Sequence, residues 1–199
     1  MTPTAEPVLP FVAALASRCP PGGRILDLGA GTGRHAIFLA QHGHPVDAID
    51  ASAEAIAELR ARAAAHQLAI RAEVMPACSP DIEFSRYRAV VCTFVLHFLG
   101  PAVATALLDR ARDQAAPGAI HAIAAFAARG ELFDAAPRGR FYYPAPGELA
   151  ARYRTAGWRV HRDYEQPRPT LARRADGTPH SHLTSFVLAD CAVSLTEHR

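Results

Sequence analysis

Short apolar runs alternate along the chain with longer segments in which apolar residues recur at helical spacing. This alternation is typical of a mostly parallel sheet with helices on both faces, and it predicts an α/β fold. The predicted strands are 24–28, 46–49, 70–74, 89–94, 119–126, 158–165 and 183–188. The predicted helices are 7–17, 34–41, 53–67, 102–114 and 148–155.

The pattern changes beyond Phe126. Residues 127–147 are rich in Pro and Gly and carry three consecutive aromatics, Phe141 to Tyr143, which predicts an ordered lid or connector. The last two predicted strands are separated by a polar loop with a turn signal at 175–177. Since there is no internal repeat or low-complexity tail, we expect a single domain over 1–199.

Composition narrows the function classes. Half of the residues are apolar and a fifth are charged, which excludes a disordered or collagen-like chain. A net charge of +2 is too small for a typical nucleic-acid or membrane surface, so a small-molecule partner is expected. The first ten residues lack the features of a signal peptide, and no apolar run is long enough to span a membrane. We therefore expect a cytoplasmic protein with neither a nucleic-acid nor a membrane partner.

The cysteines and the basic residues each carry a further constraint. Four scattered cysteines without a CxxC pair fit neither a zinc site nor a disulfide framework, and no metal is expected. All 21 basic residues are Arg, so lysine chemistry is excluded. Residues 129–174 hold 10 Arg against 5 acids, which is either a solvated surface or a basic mouth over an anionic substrate.

The strongest local signal is the run Ile25-Leu26-Asp27-Leu28-Gly29-Ala30-Gly31-Thr32-Gly33-Arg34-His35. It joins a predicted strand to a predicted helix, where open α/β sheets bind ligands. The glycines allow close approach of a ligand to the backbone, and the N–H groups that start the helix can receive a negative group. The spacing is G-x-G-x-G, with Arg34 where a dinucleotide-binding turn has its third glycine.

This run resembles the first motif of class I S-adenosylmethionine-dependent methyltransferases. The resemblance implies a Rossmann-like seven-stranded sheet with an antiparallel last strand, and S-adenosylmethionine as cofactor. It also implies that Asp27 holds the methionine amino end, while a glycine loop surrounds the methionine and ribose. The loop residues are Gly29, Ala30, Gly31 and, less directly, Gly33.

The next strands extend the resemblance. Asp50 and Ala51 end the second predicted strand, where a carboxylate can accept both ribose hydroxyls. The acid that the family places after its third strand is missing, so backbone groups of Ala77 and Cys78 are expected to hold the adenine edge. The resemblance places the end of the fourth strand, including Cys92 and Thr93, beside the methionine moiety.

The last third of the chain is similar to the tellurite-resistance methyltransferases, in Phe141 to Pro144, Gly147 to Leu149, Gly157-Trp158, Glu165 and 175–177. In that family a His-Arg pair and a later Arg are implicated in handling the oxyanion. The corresponding positions of this chain are Leu171, Ala172 and Pro179, so the motif is not reproduced. Arg173, Arg174 and His180 lie close by as possible substitutes.

Methyl transfer mainly needs an acceptor aligned about 3 Å from the methyl group. His97, Arg173 and His180 are the candidate catalytic residues, and His97 and His180 could act as bases for an acceptor that arrives protonated. His182 shares a strand face with His180. The leading hypothesis is methyl transfer to a small molecule, and the finer expectation is an anionic or chalcogen-containing one. A nicotinamide-dependent oxidoreductase and a non-catalytic cofactor-binding protein are the alternatives.

Overall fold

The computed structural model describes residues 7–137, 139–173 and 177–191. Seven strands alternate with helices, as the apolar pattern predicted. The strands are β1 Ile25–Leu28, β2 Val46–Asp50, β3 Ile70–Val74, β4 Ala89–Thr93, β5 Ile120–Gly130, β6 Arg159–Arg173 and β7 Pro179–Asp190. The helices are α1 Pro10–Arg18, α2 Arg34–Gln41, α3 Ala53–Ala65, α4 Pro101–Asp113, α5 Glu131–Ala135 and α6 Glu148–Thr155. Two 3-10 turns, Phe84–Arg86 and Leu96–Phe98, flank β4.

The strands form one sheet in the order β3-β2-β1-β4-β5-β7-β6. Strands β1 to β5 run parallel to one another, whereas β7 runs antiparallel to both β5 and β6. The predicted Rossmann-like sheet with an antiparallel last strand is confirmed. Its carboxyl-terminal edge brings together the segments that follow β1, β2 and β4, because parallel strands all end there.

Helices cover both faces of the sheet. One core packs α1, α2 and α3 against β1 and β4, with Leu15, Leu39 and Leu59 fully buried. The other core packs α4 and α6 against the opposite face, through Leu107 and Leu149. Since the central strands are buried on both sides, their sequences are almost continuously apolar, which is why the prediction located them.

A polar cluster lies in the core at the end of the sheet opposite its carboxyl-terminal edge. His121, the second residue of β5, is fully buried, and its Nδ1 lies 2.8 Å from the Tyr153 hydroxyl. Its ring centroid is 4.5 Å from that of Trp158. Burial lowers the pKa of His121 to about 3, so the imidazole is neutral near pH 7.

Two expectations about the last third of the chain are corrected. The polar loop expected between the final strands is mostly strand, since β6 continues to Arg173 and β7 begins at Pro179. The predicted lid, 127–147, begins inside β5, which runs to Gly130 and is followed by the short helix α5. Within this segment Tyr142 is buried, and its hydroxyl donates to Glu148 at 2.7 Å. A lid function for the segment stays a prediction.

Candidate functional site

The glycine turn after β1 has a backbone that only glycine adopts readily. Gly29 has φ +66°, and a Cβ there would collide with Val95 Cγ2. Gly33 has φ +90°, and a Cβ there would collide with Leu59 of α3. Gly29 therefore allows the segment after β4 to approach the turn. Gly33 allows α2 to pack against α3, and its predicted contact with the cofactor stays a prediction.

Asp27 lies in β1 just below this turn and is 1% exposed. Neither of its carboxylate oxygens makes a well-formed hydrogen bond to a described residue. Burial raises its pKa to about 7, against the opposing effects of the Ala36 backbone N–H and then of Arg34. Apart from that one backbone N–H, the carboxyl group lacks the donors that buried carboxyl groups normally have in folded proteins.

Asp50, at the end of β2, is instead fixed by the backbone. Its Oδ2 accepts from the Gly31 N–H at 2.9 Å, and its Oδ1 accepts from the Ser52 N–H at 2.8 Å. Each oxygen retains acceptor capacity for one more donor. The carboxylate is therefore oriented beside the glycine turn and can accept two hydroxyl groups.

A cavity of about 240 Å³ lies between the glycine turn and the segments after β3 and β4. Five of its lining residues were predicted as cofactor contacts: Gly29, Asp50, Ala51, Ala77 and Cys78. The others are Pro76, Phe94, Val95, Phe98 and Leu99. Ligand pockets usually measure ~300–1,000 Å³, so this cavity is of a size for the nucleoside part of a larger ligand.

Sequence reasoning missed Pro76, Val95, Phe98 and Leu99 as lining residues. Phe98 is 73% exposed at the cavity, which is unusual for a phenylalanine. Its signal in the sequence was an apolar run, 94–99, that continues beyond the end of β4. Such a run is indistinguishable from ordinary core in the absence of a fold.

Three further predicted cofactor contacts do not line the cavity. Ala30 is part of the turn, where its N–H donates to the carbonyl of Ile49 at 2.9 Å. Cys92 is buried in the core under α4 and α6. Thr93 is also buried, and its hydroxyl lies 3.2 Å from Nδ1 of His35. Their contacts with a cofactor stay predictions.

A second cavity, of about 230 Å³, lies against the face of β1, β2 and β3 that α4 and α6 leave uncovered. Its buried carboxylate, Asp47, is fully partnered by Arg24 at 2.6 Å and by the Tyr87 hydroxyl at 3.0 Å. The polar groups of this second cavity are satisfied, and it is remote from the glycine turn. The cavity beside Asp50 is therefore the candidate site.

Of the candidate catalytic residues, only His97 has a described side chain. It lies in the 3-10 turn after β4, with its ring centroid 4.0 Å from that of Phe98. Its Nδ1 is buried and has no hydrogen-bond partner among the described residues. Burial, and then His182, lower its pKa to about 4. The side chains of Arg173 and His180, and all of Arg174, lie outside the described residues.

These features fit S-adenosylmethionine. The Asp27 carboxyl, which has no donor beyond the Ala36 backbone N–H, matches a buried ammonium group that would supply further donors. Asp50 matches a pair of ribose hydroxyls, and the mostly apolar cavity matches a flat purine. None of these matches requires a metal, and no cluster of three metal-ligating side chains occurs among the described residues.

Comparison with known proteins agrees with this fit. Residues 25–118, which carry the glycine turn, Asp50 and β4, match the family model described as "Methyltransferase domain". No curated protein sequence matches the chain. In the part of the chain that the structure describes, no helix is long and apolar enough to cross a membrane.

Several solved structures share the fold. TehB from Haemophilus influenzae has a TM-score of 0.80 and 22% identity, over 92% of this chain and 62% of that chain. A SAM-dependent methyltransferase from Methanosarcina mazei has a TM-score of 0.68 and 17% identity, over 94% of this chain and 100% of that chain. The 1,6-didemethyltoxoflavin-N1-methyltransferase of Burkholderia thailandensis, with its namesake compound and S-adenosylhomocysteine bound, has a TM-score of 0.67 and 23% identity, over 92% and 77%. The chain thus spans about three fifths of the length of TehB.

Proposed function

We propose that this chain is a class I S-adenosylmethionine-dependent methyltransferase and transfers a methyl group from S-adenosylmethionine to a small-molecule acceptor. One observation carries the proposal most directly: the buried Asp27 carboxyl makes no well-formed hydrogen bond to the described residues and lies beneath a glycine turn. An unpartnered carboxyl in a core costs stability, and a cationic ligand group at the turn offsets that cost.

The roles of the cofactor-holding residues follow from their positions. Asp27 would hold the methionine ammonium, and Asp50, fixed by two backbone N–H groups, would hold the ribose hydroxyls. The cavity walls formed by Ala77, Cys78 and Leu99 would hold the adenine. When bound, S-adenosylmethionine supplies a sulfonium methyl group that an acceptor lone pair displaces in line, leaving the bonding electron pair on sulfur.

His97 would orient an acceptor that arrives protonated, by accepting a hydrogen bond from it at Nδ1. Its imidazole is neutral near pH 7 because burial lowers its pKa to about 4, and Nδ1 has no hydrogen-bond partner among the described residues. Methylation makes the hydrogen of the acceptor strongly acidic, and that proton then passes by way of His97 to the solvent. Arg173 and His180 remain proposed contributors on the strength of the sequence alone.

A small-molecule acceptor is in keeping with the relatives. The toxoflavin-type methyltransferase of the same fold was crystallised with a small heterocyclic compound. As a finer proposal, the acceptor is anionic or chalcogen-containing, which the arginine surplus of 129–174 supports. A cytoplasmic location without a nucleic-acid partner completes the proposal.

Calorimetric titration with S-adenosylhomocysteine tests the cofactor assignment. We expect binding by the unaltered chain and a loss of about tenfold to a hundredfold in Asp27→Asn, because a hydrogen-bonded charge pair disappears. Asp50→Ala should also lose binding, whereas Asp113→Asn, an exposed carboxylate on α4, serves as the control. Binding of NAD without binding of either sulfur cofactor would refute the proposal.

Turnover is tested with S-adenosylmethionine and a panel of acceptors that includes selenite, tellurite and thiols. The expected result is acceptor-dependent formation of S-adenosylhomocysteine, reduced in His97→Gln without a change in cofactor binding. Cofactor binding with no turnover on any acceptor would instead favour a cofactor-sensing protein.

A further inference from the structure

A connected group of rings lies beside the candidate cofactor cavity. Phe94 lines the cavity, and its ring centroid is 5.0 Å from that of Phe126 on β5. The Phe126 ring in turn contacts two imidazoles edge to face, His97 at 4.9 Å and His182 at 5.4 Å. With Thr184 these residues form what we call the ring cluster, which leads from the cavity wall toward β7.

The ring cluster contains two buried polar atoms whose partners are missing. Thr184 is 0% exposed, and its hydroxyl has no hydrogen-bond partner among the described residues. Thr184 pairs in register with Phe126, so the two side chains share one face of the sheet. The second atom is Nδ1 of His97, which is buried and unpartnered in the same part of the structure. A ligand with one acceptor and one donor would satisfy both atoms.

The backbone at Phe94 holds the cluster against the cavity at a cost. Phe94 has φ +58°, in the left-handed region that residues other than glycine rarely adopt. Its N–H donates to the carbonyl of Ala124 at 2.8 Å, which fixes this conformation. Strained residues of this kind concentrate at ligand sites, where the surrounding structure maintains them.

We propose that the ring cluster is the methyl-acceptor site and that the acceptor carries a planar, uncharged aromatic ring. The proposal rests on methyl transfer to a small molecule, and at this site it replaces an anionic acceptor with an uncharged aromatic one. Aromatic rings pair favourably edge to face or offset at centroid distances of 4.5–7 Å, the range that the cluster already uses internally. The Thr184 hydroxyl would donate to a polar atom of the ring, and His97 would receive the hydrogen of its nucleophilic group.

A small inorganic oxyanion fits this cluster less well. Transfer of an anion from water to a buried, mostly apolar site is costly without fixed positive donors. Burial lowers the pKa of His97 to about 4, with His182 as the second cause, so His97 does not supply such a charge near pH 7. The aromatic acceptor is thus distinguished from the oxyanion class by charge as well as by shape.

Histidine resonances of the full chain provide the test. The chain is first saturated with S-adenosylhomocysteine and then titrated with phenol, catechol, ethanethiol or tellurite. The imidazole signals of His97 and His182 are assigned from His97→Gln and His182→Gln. We expect both ring compounds to shift these two signals, while His42, which is exposed and lies against Phe38, stays unchanged as an internal control.

Two variants separate the polar contact from the ring contact. Thr184→Val keeps the side-chain shape and should weaken binding of catechol about tenfold, because the hydroxyl donor is lost. Phe126→Leu should weaken both ring compounds several-fold. The dissociation constant of S-adenosylhomocysteine should stay unchanged in both, which distinguishes an acceptor role from a general loss of folding.

Several results would overturn the inference. If neither ring compound shifts His97, or if tellurite or ethanethiol produces the same shifts, the ring cluster does not select aromatic acceptors. Binding of S-adenosylhomocysteine in those experiments would leave the proposed function intact. Failure of the unaltered chain to bind S-adenosylhomocysteine would count against the proposed function itself. The titration with ring compounds would then still decide whether the cluster binds them.

Discussion

Asp27→Asn should stabilise the cofactor-free chain increasingly as the pH rises, and it should weaken cofactor binding. The carboxyl is fully buried without a well-formed hydrogen bond to a described residue, and its pKa is raised from 3.8 to about 7. In the unfolded chain the group ionises near its ordinary pKa. Between pH 4 and pH 7 the folded chain therefore binds more protons than the unfolded chain, and stability falls as the pH rises.

The size of the effect follows from that interval. Each pH unit corresponds to about 1.4 kcal/mol per proton, so ionisation of Asp27 removes about 4 kcal/mol of folding free energy once the pH exceeds 7. Asn is nearly isosteric and does not titrate. The difference in stability between Asp27→Asn and the unaltered chain should therefore grow by about 4 kcal/mol between pH 4 and pH 8, or roughly 8–16 °C in Tm for a chain of this size.

Urea unfolding at a series of pH values measures this difference. Burial of the Asn amide can change the unfolding free energy by an amount that is the same at every pH. Only the change of the difference with pH therefore tests the ionisation of Asp27. Asp113→Asn, on the exposed surface, should show no such growth. If the difference in unfolding free energy between Asp27→Asn and the unaltered chain does not change with pH, the reasoning is refuted. The Asp27 carboxyl would then have the same pKa in the folded and the unfolded chain.

Three further predictions concern other parts of the chain. Cys78 is the exposed thiol that lines the cofactor cavity, so saturating S-adenosylhomocysteine should slow its reaction with a disulfide reagent at least several-fold, followed by absorbance. Gly33→Ala should cost about 2–4 kcal/mol in chemical unfolding, since strain at φ +90° adds to the collision with Leu59. The same change should cost less in a Leu59→Ala background, because the collision is then absent. Below pH 6.5 the unaltered chain should lose about 1.4 kcal/mol of stability per pH unit, because only the unfolded chain protonates His121 there. His121→Gln should abolish this loss, and parallel stability-against-pH curves for the variant and the unaltered chain would contradict the prediction.

The elements that the sequence predicted best are those buried on both sides. The strand at 89–93, Ala-Val-Val-Cys-Thr, is almost continuously apolar, and the structure places it at the centre of the sheet. Ser52 before an Ala-rich segment predicted the start of α3, where its hydroxyl accepts from the Ala55 N–H. The position of Asp50 beside the glycine turn was predictable because parallel strands end at the same edge of a sheet, whereas its contact with ribose stays a prediction.

Other elements gave no local signal. Beyond Glu165, β6 continues through Pro167, a residue that is disfavoured inside strands, and the strand is maintained there by pairing with β7. The extent of this hairpin depends on contacts between distant parts of the chain, which periodicity does not contain. The lining residues Phe98 and Leu99 were missed for a related reason, because only the fold distinguishes a cavity wall from core.

The single tryptophan of the chain makes its emission unusually easy to interpret. Trp158 is packed on His121 and Tyr153 at the start of β5, far from the edge that carries the glycine turn. Its fluorescence should therefore change when α6 and the sheet separate, and hardly at all when a ligand enters the cavity. The chain thus carries a built-in optical signal for unfolding that does not respond directly to binding.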